Sequence, residues 1–339
     1  KNNILSNDWK LNIFKEFIKD KKINKLKKFE LTTNSKKINN NKIFFGIKGN
    51  SFDGNDFADE AIKNGAKVAI VQKAKNNLRK IKVKNSLNLL TNIAKKVRIS
   101  SNSSFVAITG SSGKTSLKEL LGQSLKNKYS TIYSKNSFNN KFGLPISLLN
   151  LKKNTAFGIF EIGMDKKGEI DYLSKIIKPD IGVITNITYA HAKNFNTLFD
   201  IAKAKSEIIF NIKPRGTIVL NKDDKFFEFF SKLAAKNKLE VISFGRHKNS
   251  NIRLYKIKKL RKNSEIYIKE SSKKYKFKIK NDLLSYVDNI LAALAVLKGL
   301  FLINKINSNF FFKYKIPKGR GNLKQITIYK KKINILDES

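Results

Sequence analysis

The chain has 339 residues, which is enough for two or three domains that each have a core. It contains no cysteine, which excludes disulfides, thiolate catalysis and cysteine-based metal sites and fits a reducing, cytoplasmic location. No apolar run approaches the roughly 20 residues needed to cross a bilayer, and the N-terminal residues do not resemble a signal peptide.

The formal net charge is +44. Such a charge is typical of proteins that bind nucleic acid or an anionic membrane surface. However, only seven of the 70 basic residues are arginines, and nucleic-acid recognition favours arginine for its bidentate and stacking contacts. The lysines are spread along the whole chain. We therefore interpret most of them as solvated surface residues, and a non-catalytic nucleic-acid-binding protein stays as an alternative.

Residues 1–84 are predicted to form a small α/β domain. A helical pattern begins near Trp9, and an apolar segment, IFFGIKG, follows. The next segment, FADEAIKNGAKVAIV, is typical of a helix, a glycine turn and a strand. The lysine-rich span near 73–84 has few apolar residues, so we place a domain boundary there, before a helical segment at 87–97.

The most informative segment is FVAITGSSGKTSLKELLGQSL, residues 105–125. It predicts a strand, a phosphate-binding loop and an amphipathic helix. The loop glycines let backbone N–H groups approach phosphate oxygens, and the helix adds its positive N-terminal end. Lys114 can reach the terminal phosphates, and the Thr115 hydroxyl can ligate a bridging magnesium ion. A phosphate-loop kinase is one alternative that this segment leaves open.

From residue 105 to about 245, apolar strands alternate with helical segments, which predicts a mostly parallel, doubly wound sheet. The predicted strands are 105–109, 156–162, 181–186, 217–221 and 241–244. In such a sheet, ligands bind beyond the carboxyl ends of the strands. The polar residues at these ends are Thr109, Glu161, Asn186 and Asn221. We expect the four strand ends to meet at one rim, with His191 a few residues beyond one of them.

The remaining segments predict further strands and one helix. Residues 251–280 alternate apolar and basic positions, which indicates antiparallel strands with one solvated face. The apolar segment 289–303 predicts a buried helix, and strands are predicted at 324–329 and 332–336. The predicted domains are 1–84, a central domain at 85–315, and the start of a third domain at 316–339.

Two residues near the rim, Glu161 and His191, are candidates for chemistry. Glu161 ends an apolar strand, so its carboxylate requires a cation partner if it is buried, and magnesium at the phosphate loop would be one. The alternative is a structural carboxylate that caps a helix or forms a salt bridge. His191 is a candidate ligand or phosphate contact, with a structural role as the alternative. Lys205 and its neighbour Lys203 lie on a predicted helix, where the residues alone give neither lysine a special role.

Six ordered blocks of sequence resemble the Mur ligase family, and the resemblance covers residues 30–339. The blocks are ITGSSGKTS (108–116), SFNNKFGLPISLLNL (137–151), EIGMDKKGEI (161–170), NITYAHAKNF (186–195), AKAKSEIIF (202–210) and LNKDD (220–224). SFNNKFGLP, EIGM, the closing DES and residues 33–57 look like those members that add D-alanyl-D-alanine to UDP-N-acetylmuramoyl-tripeptide. Members that add a diamino acid, and folate-type glutamate ligases, are alternatives within the fold.

The resemblance implies an ATP- and Mg²⁺-dependent amide ligase of peptidoglycan synthesis, and hence of cell-wall formation, cell shape and cell division. ATP would convert the tripeptide carboxylate into an acyl phosphate, and the amine of D-alanyl-D-alanine would then displace phosphate. Such an enzyme is expected to be a cytoplasmic monomer without nucleic-acid or membrane partners. Family members continue after the DES block with a third domain. We therefore expect the 339 residues to be a fragment that binds nucleotide and UDP-sugar peptide but ligates poorly or not at all.

The resemblance also implies roles for individual residues. The implied nucleotide-binding residues are Gly110, Ser111, Ser112, Gly113, Lys114, Thr115, Ser116, Asn289 at adenine, Arg320 at phosphate and Asp337 at ribose. The implied metal ligands are Thr115, Glu161, His191 and Lys205, and the implied catalytic residues are Lys114, His191 and Lys205. Lys205 matches a lysine that family members carbamylate, with Lys203 as the alternative because the Ala-Lys pair is repeated. The implied substrate-binding residues are Ser35, Lys36, Asp53, Gly54, Asn139 and Asn140.

Overall fold

The computed structural model describes residues 9–36, 38, 42–49, 52–73, 79–134, 138–189 and 194–317, and the backbone of 322–328 and 331–337. The chain forms two compact units. Unit 1 comprises Lys1–Ser101 and Leu148–Lys153, and unit 2 comprises Asn102–Ser147 and Asn154–Ser339. The domain boundaries expected near residues 84 and 315 stay predictions.

Unit 1 contains a four-stranded sheet in which all neighbours are parallel, in the order β1-β2-β3-β4. Its strands are β1 (Leu31–Thr32), β2 (Ile43–Phe45), β3 (Val68–Val71) and β4 (Lys80–Lys82). Its helices are α1 (Trp9–Phe17), α2 (Lys21–Asn24), α3 (Ala58–Lys63) and α4 (Ser86–Ile99). Phe44 and Val71 of the sheet pack against Ala61 of α3 in one apolar cluster. The predicted small α/β fold is confirmed.

Unit 2 contains a nine-stranded sheet in the order β13-β12-β11-β10-β9-β8-β5-β7-β6. The seven strands from β11 to β6 are parallel to their neighbours, and β12 and β13 are added in antiparallel pairing. The strands are β5 (Ser104–Thr109), β6 (Thr131–Tyr133), β7 (Phe157–Glu161), β8 (Ile181–Ile184), β9 (Thr217–Asn221), β10 (Glu240–Gly245), β11 (Ile252–Lys259), β12 (Asn263–Glu270) and β13 (Lys273–Lys280).

Helices cover both faces of this sheet. The remaining helices are α5 (Lys114–Lys126), α6 (Gly143–Leu148), α7 (Glu169–Ile177), α8 (Leu198–Ser206), α9 (Phe227–Lys236) and α10 (Val287–Gly299). Leu121 of α5 and Leu294 of α10 share one buried apolar cluster with Val106 and Val183 of the sheet. Helices α7 and α9 contact β5, β9 and β10 but lie outside this cluster. Since alternate strand residues point to opposite faces, α7 and α9 cover the other face, and the sheet is doubly wound as predicted.

The solvated antiparallel strands are also confirmed. Lys269 of β12 lies opposite Lys274 of β13 on one face, while Ile268 of β12 lies opposite Leu254 of β11 and Tyr275 of β13 on the other. The apolar face packs into the unit 2 core, so the basic residues remain in water. Beyond them, β14 (Asn322–Ile328) and β15 (Lys331–Asp337) form an antiparallel hairpin near the predicted positions.

The short strands β1 and β4 in unit 1 and β6 in unit 2 were not predicted from the sequence. Each has two or three residues, which is too short for an alternating pattern to stand out, and each is an edge strand paired on one side. Among the described residues, none of the helices has both the length and the apolar character that a membrane span requires.

Candidate active site

The carboxyl ends of four adjacent parallel strands meet at one rim of the unit 2 sheet. Strands β7, β5, β8 and β9 are neighbours in that order. The rim therefore contains Thr109, Glu161 and Asn221 at strand ends and Asn186 two residues after β8, as predicted from the sequence. The phosphate loop, residues 110–113, rises from β5 at the centre of this rim and leads into α5.

The loop requires glycine at both ends. Gly110 has φ +145°, and a Cβ atom there would lie 1.8 Å from Oγ1 of Thr185. Gly113 has φ +79°, and a Cβ atom there would lie 2.8 Å from Oδ1 of Asn289. Positive φ values are strained for L-residues, and these contacts leave no space for a side chain. The backbone conformation and the neighbouring atoms therefore require glycine at both positions.

Residues that follow β8 hold the loop in place. The backbone carbonyl of Asn186 accepts a hydrogen bond from Ser111 N–H at 2.9 Å, and its side-chain Oδ1 accepts one from Ser112 N–H at 3.0 Å. Oγ1 of Thr185 donates to the Ser112 carbonyl at 2.6 Å, and the Thr188 N–H donates to Ser111 Oγ at 2.9 Å. The sequence had indicated Asn186 as a rim residue. The role of Thr185 was missed because Thr185 and the phosphate loop are more than 70 residues apart in the sequence.

The first turn of α5 leaves its N–H groups without partners inside the helix, and these groups point to the rim. Lys114, the first residue of α5, bends back over the loop, where Nζ donates to the Gly110 carbonyl at 2.9 Å and to the Ser111 carbonyl at 3.4 Å. Thr115 and Ser116 follow it in the same turn. The helix end and the ammonium group together form a site for an anion such as phosphate.

Lys205 approaches the same loop from α8. This helix begins with a capping box formed by Thr197 and Asp200, and Lys205 lies in its last turn. The side chain is 1% exposed, and Nζ donates to the Gly110 carbonyl at 3.0 Å. Burial, and secondarily the nearby positive charge of Lys114, lower the pKa of Lys205 to about 7. A large fraction of Lys205 is therefore neutral near physiological pH.

Lys203 has a different environment. It is exposed, and its ammonium lies 4.4 Å from the ring centroid of Phe199. Residues two apart on a helix point to nearly opposite sides, because each residue turns the chain by about 100°. The structure therefore brings Lys205, and not Lys203, to the phosphate loop.

Glu161 ends β7 and is 2% exposed. Its Oε1 accepts a hydrogen bond from the side-chain amide of Asn139 at 2.8 Å. Its Oε2 lies 3.9 Å from Nζ of Lys118, a fully buried lysine of α5. Asn140, the neighbour of Asn139, instead accepts hydrogen bonds from the N–H groups of Phe142 and Gly143 and so caps the start of α6.

The Glu161 carboxylate is suited to a magnesium ion. Oε2 is buried and has no hydrogen-bond partner among the described residues. Mg²⁺ prefers carboxylate, hydroxyl and phosphate oxygens, so Glu161 and the Thr115 hydroxyl are suitable ligands beside bound phosphates. Within the described ranges, His, Cys, Asp and Glu side chains form no cluster of three or more that could hold a metal ion by itself. His191 lies outside the described residues, so its role stays a prediction.

The predicted adenine contact, Asn289, lies on α10 with its side chain against Gly113. The preceding residue, Asp288, accepts a hydrogen bond from the Arg246 guanidinium at 2.6 Å. The structure thus brings Asn289 to the phosphate loop. Arg320 lies outside the described residues, and only the backbone of Asp337 is described, so the roles of both residues stay predictions.

The candidate UDP-binding residues lie in unit 1, around the segment that leads into α3. Asp53 caps the 3-10 helix Gly54–Phe57, and its Oδ2 forms an ion pair with Lys73 at 2.8 Å. The hydrogen bonds from Lys73 and Asn55 hold the pKa of Asp53 well below its usual range. A Cβ atom on Gly54 would lie 2.6 Å from the carbonyl oxygen of Ile47.

The other two candidates of unit 1 are Ser35 and Lys36. Oγ of Ser35 donates to Glu60 of α3 at 3.0 Å and is buried, whereas Lys36 is exposed. Asp53 caps the 3-10 helix that leads directly into α3, and Glu60 lies in the first turn of α3. The substrate-binding roles of the four candidates of unit 1 stay predictions.

Comparison with known proteins gives the family. A family profile described as "Mur ligase middle domain" matches residues 108–297, which contain the whole rim and the phosphate loop. A second, "Mur ligase family, catalytic domain", matches residues 30–109. The chain belongs to the Mur ligase family. The resemblance found in the six sequence blocks is therefore confirmed.

Among curated Mur ligases, the chain is 38% identical over 225 residues to a UDP-N-acetylmuramoyl-tripeptide--D-alanyl-D-alanine ligase of Buchnera aphidicola, covering 66% of this chain and 48% of that protein. It is 32% identical over 298 residues to the Rickettsia prowazekii protein of the same name, covering 87% of this chain and 66% of that protein. The chain thus spans about half to two thirds of the length of these relatives.

A solved structure gives the same result for the fold. The MurF ligase of Thermotoga maritima, determined in complex with ADP, superposes with a TM-score of 0.80 at 28% identity. The match covers 92% of this chain and 71% of that one. The architecture described above is therefore that of a Mur ligase.

Proposed function

We propose that this Mur ligase is an ATP-dependent enzyme that joins D-alanyl-D-alanine to UDP-N-acetylmuramoyl-tripeptide. The terminal carboxylate of the tripeptide attacks the γ-phosphorus of ATP, which forms an acyl phosphate and releases ADP. The amine of D-alanyl-D-alanine then attacks the acyl carbon, an amide bond forms, and inorganic phosphate leaves. The substrate assignment is supported by the names of the relatives, and we propose that the reaction serves peptidoglycan synthesis in the cytoplasm.

The observation that carries this proposal is the convergence of two lysines on one loop carbonyl. Lys114 and Lys205 both donate to Gly110 O, from two different helices. A phosphate loop with one lysine is common to many nucleotide-binding proteins. A second, buried lysine with a pKa near 7 is not needed for phosphate binding, because its charge is easily lost. It is suited instead to reaction with carbon dioxide, which requires a neutral amine.

The residues have the following proposed tasks. Lys114 and the N-terminal turn of α5 hold the β- and γ-phosphates, and Asn289 orients adenine. Glu161 and Thr115 would hold Mg²⁺, which would neutralise negative charge on the phosphate oxygens. A carbamate on Lys205 places a negative group beside the loop, and His191 is a further candidate ligand. Ser35, Lys36, Asp53 and Gly54 bind the UDP end of the substrate, and Asn139 and Asn140 lie in the block that resembles substrate-binding residues.

The proposal is tested by incubating the chain with ATP, Mg²⁺, UDP-N-acetylmuramoyl-tripeptide and D-alanyl-D-alanine and analysing the products by mass spectrometry. The expected products are the pentapeptide, ADP and phosphate in equal but small amounts, because the chain spans only about half to two thirds of the length of its relatives. A stable phosphorylated product without amide formation would indicate a kinase instead. Formation of an amide only with a diamino acid or glutamate would indicate another ligase of this fold.

Nucleotide binding is tested separately, since it does not require the complete reaction. Lys114→Ala is expected to weaken binding of a non-hydrolysable ATP analogue with Mg²⁺ roughly 10- to 150-fold, because it removes a hydrogen bond from a charged donor. Isothermal titration calorimetry measures this affinity with and without UDP-N-acetylmuramoyl-tripeptide.

The matched control is Lys126→Ala, which removes an exposed lysine from the last turn of the same helix. It is expected to bind the analogue like the wild type. Equal loss in both variants would point to general electrostatic attraction by a highly basic protein, and steep salt dependence of DNA binding without an ATP requirement would favour the nucleic-acid alternative.

A further inference from the structure

Lys118 is buried in a chain whose lysines are mostly at the surface. Lys118 and Lys205 are the two lysines among the described residues whose side chains are almost completely inaccessible, at 0% and 1% exposed. Lys205 contacts the phosphate loop, whereas Lys118 lies one helical turn after Lys114 on α5 and does not reach the surface. Burying an ammonium group costs folding free energy unless the group is paired with a negative charge, so the partners of Lys118 indicate its role.

The ammonium of Lys118 lies between two carboxylates. Nζ is 3.2 Å from Oε1 of Glu119 and 3.9 Å from Oε2 of Glu161. The first distance allows a hydrogen bond, whereas the second corresponds to an ion pair in which Oε2 of Glu161 has no hydrogen-bond partner. Lys118 therefore attracts Glu161 without occupying the lone pairs of that oxygen.

The two oxygens of Glu161 have different surroundings. Oε1 is fixed by the hydrogen bond from Asn139 at 2.8 Å, and Oε2 faces Lys118 across a longer gap. Together these contacts fix the rotation of the carboxylate. One positive and two negative side chains leave this cluster with a formal charge of −1, so a further cation is attracted to it.

We propose that Lys118 is a positioning residue that orients Glu161 for Mg²⁺. Being fully buried, it touches neither substrate nor nucleotide and acts through the carboxylate. It compensates part of the negative charge in the absence of nucleotide and leaves Oε2 available for the metal. The proposal rests on the proposed function, because that function assigns Mg²⁺ to Glu161.

The first experiment measures how the affinity for an ATP analogue depends on Mg²⁺ concentration in wild type, Lys118→Met and the exposed-lysine control Lys126→Met. Loss of a residue that orients a metal ligand typically weakens metal affinity about 10- to 100-fold. We therefore expect the half-saturating Mg²⁺ concentration of Lys118→Met to rise about 10-fold or more. The affinity measured in EDTA is expected to be the same in all three proteins.

The second experiment determines which carboxylate, Glu161 or Glu119, depends on Lys118. It measures thermal stability without any ligand. Lys118→Met leaves Glu161 as a buried carboxylate without its cation, so the melting temperature is expected to fall. Adding Glu161→Gln to Lys118→Met removes the uncompensated charge and is expected to recover most of the loss. The matched addition, Glu119→Gln, is expected to recover less. If Lys118→Met does not fold, Lys118→Gln, which keeps an N–H donor without the charge, replaces it in both experiments.

The outcomes separate this proposal from the proposed function. A wild-type chain that binds the analogue with Mg²⁺, and a Lys118→Met variant with an unchanged Mg²⁺ requirement, would overturn the positioning role alone. Stability recovered by Glu119→Gln rather than Glu161→Gln would also overturn it, because the lysine would then serve Glu119. A wild-type chain without any Mg²⁺-dependent nucleotide binding would overturn both proposals.

Discussion

Replacing Gly110 with alanine is expected to lower the free energy of unfolding of unit 2 by roughly 2–5 kcal/mol and to abolish nucleotide binding. The residue has φ +145°, and the added Cβ atom would lie 1.8 Å from Oγ1 of Thr185. The backbone must therefore move, and the Gly110 carbonyl, which accepts hydrogen bonds from Lys114 and Lys205, moves with it. Chemical denaturation and titration with an ATP analogue measure the two effects.

Gly168→Ala is a matched control for backbone strain. Gly168 also has a positive φ, +88°, at the start of α7, but a Cβ atom there would meet nothing within 4 Å. This variant is expected to lose about 1 kcal/mol from strain alone and to bind nucleotide normally. Equal destabilisation of the two variants would show that the contact with Thr185 does not determine the loop, contrary to our interpretation.

Replacing Lys205 with methionine is expected to stabilise the fold and to eliminate ligation. The fall of the Lys205 pKa from 10.5 to about 7 corresponds to a cost on the order of 5 kcal/mol for the buried charge, which is an upper bound. Methionine has a similar length and no charge, so it avoids this cost. An increase in stability on replacement is typical of functional residues, because many active sites are less stable than they would be without their catalytic groups.

The effect of Lys205→Met depends on pH with a definite sign. Between pH 7 and 10.5 the unfolded lysine binds a proton that the folded one does not, so wild-type stability rises with pH in this window. The stability gain of the variant is therefore largest below pH 7 and disappears towards pH 10.5. Lys203→Met, at the exposed neighbour, is expected to show no such gain. Denaturation curves at several pH values measure both, and a pH-independent gain would contradict the pKa argument.

The carbamate proposed on Lys205 has its own measurement. Neutral Lys205 adds carbon dioxide at Nζ, and a proton is released to solvent as the carbamate forms. Carbon-13 NMR of the wild type with labelled bicarbonate is expected to show one carbamate signal that is absent from Lys205→Met and present in Lys203→Met. A signal lost only in Lys203→Met would assign the modification to the other lysine.

Contiguous features were predictable from the sequence. The phosphate loop is a strand, two glycines and a helix in immediate succession, and their local geometry is set by backbone conformation. Helix α10 was found because it lies in one continuous apolar segment, and strands β11–β13 were found because their alternating pattern extends over eight residues in each strand. The three-residue strands β4 and β6 carry too little periodicity and exist because a neighbouring strand pairs with them.

The sequence by itself determined the family, the position of the phosphate loop and the alternation of strands and helices that predicts a doubly wound sheet. Each of these features depends on residues close together in sequence. Only the tertiary structure decided which of 63 lysines are buried at the site. Nothing in the local sequence separates Lys118 from the solvated lysines, and Lys205 differs from Lys203 only in the side of α8 that it occupies. Burial depends on which strands become neighbours, and the sheet order joins residues 75 to 100 positions apart, such as Gly110 with Thr185 and Lys205.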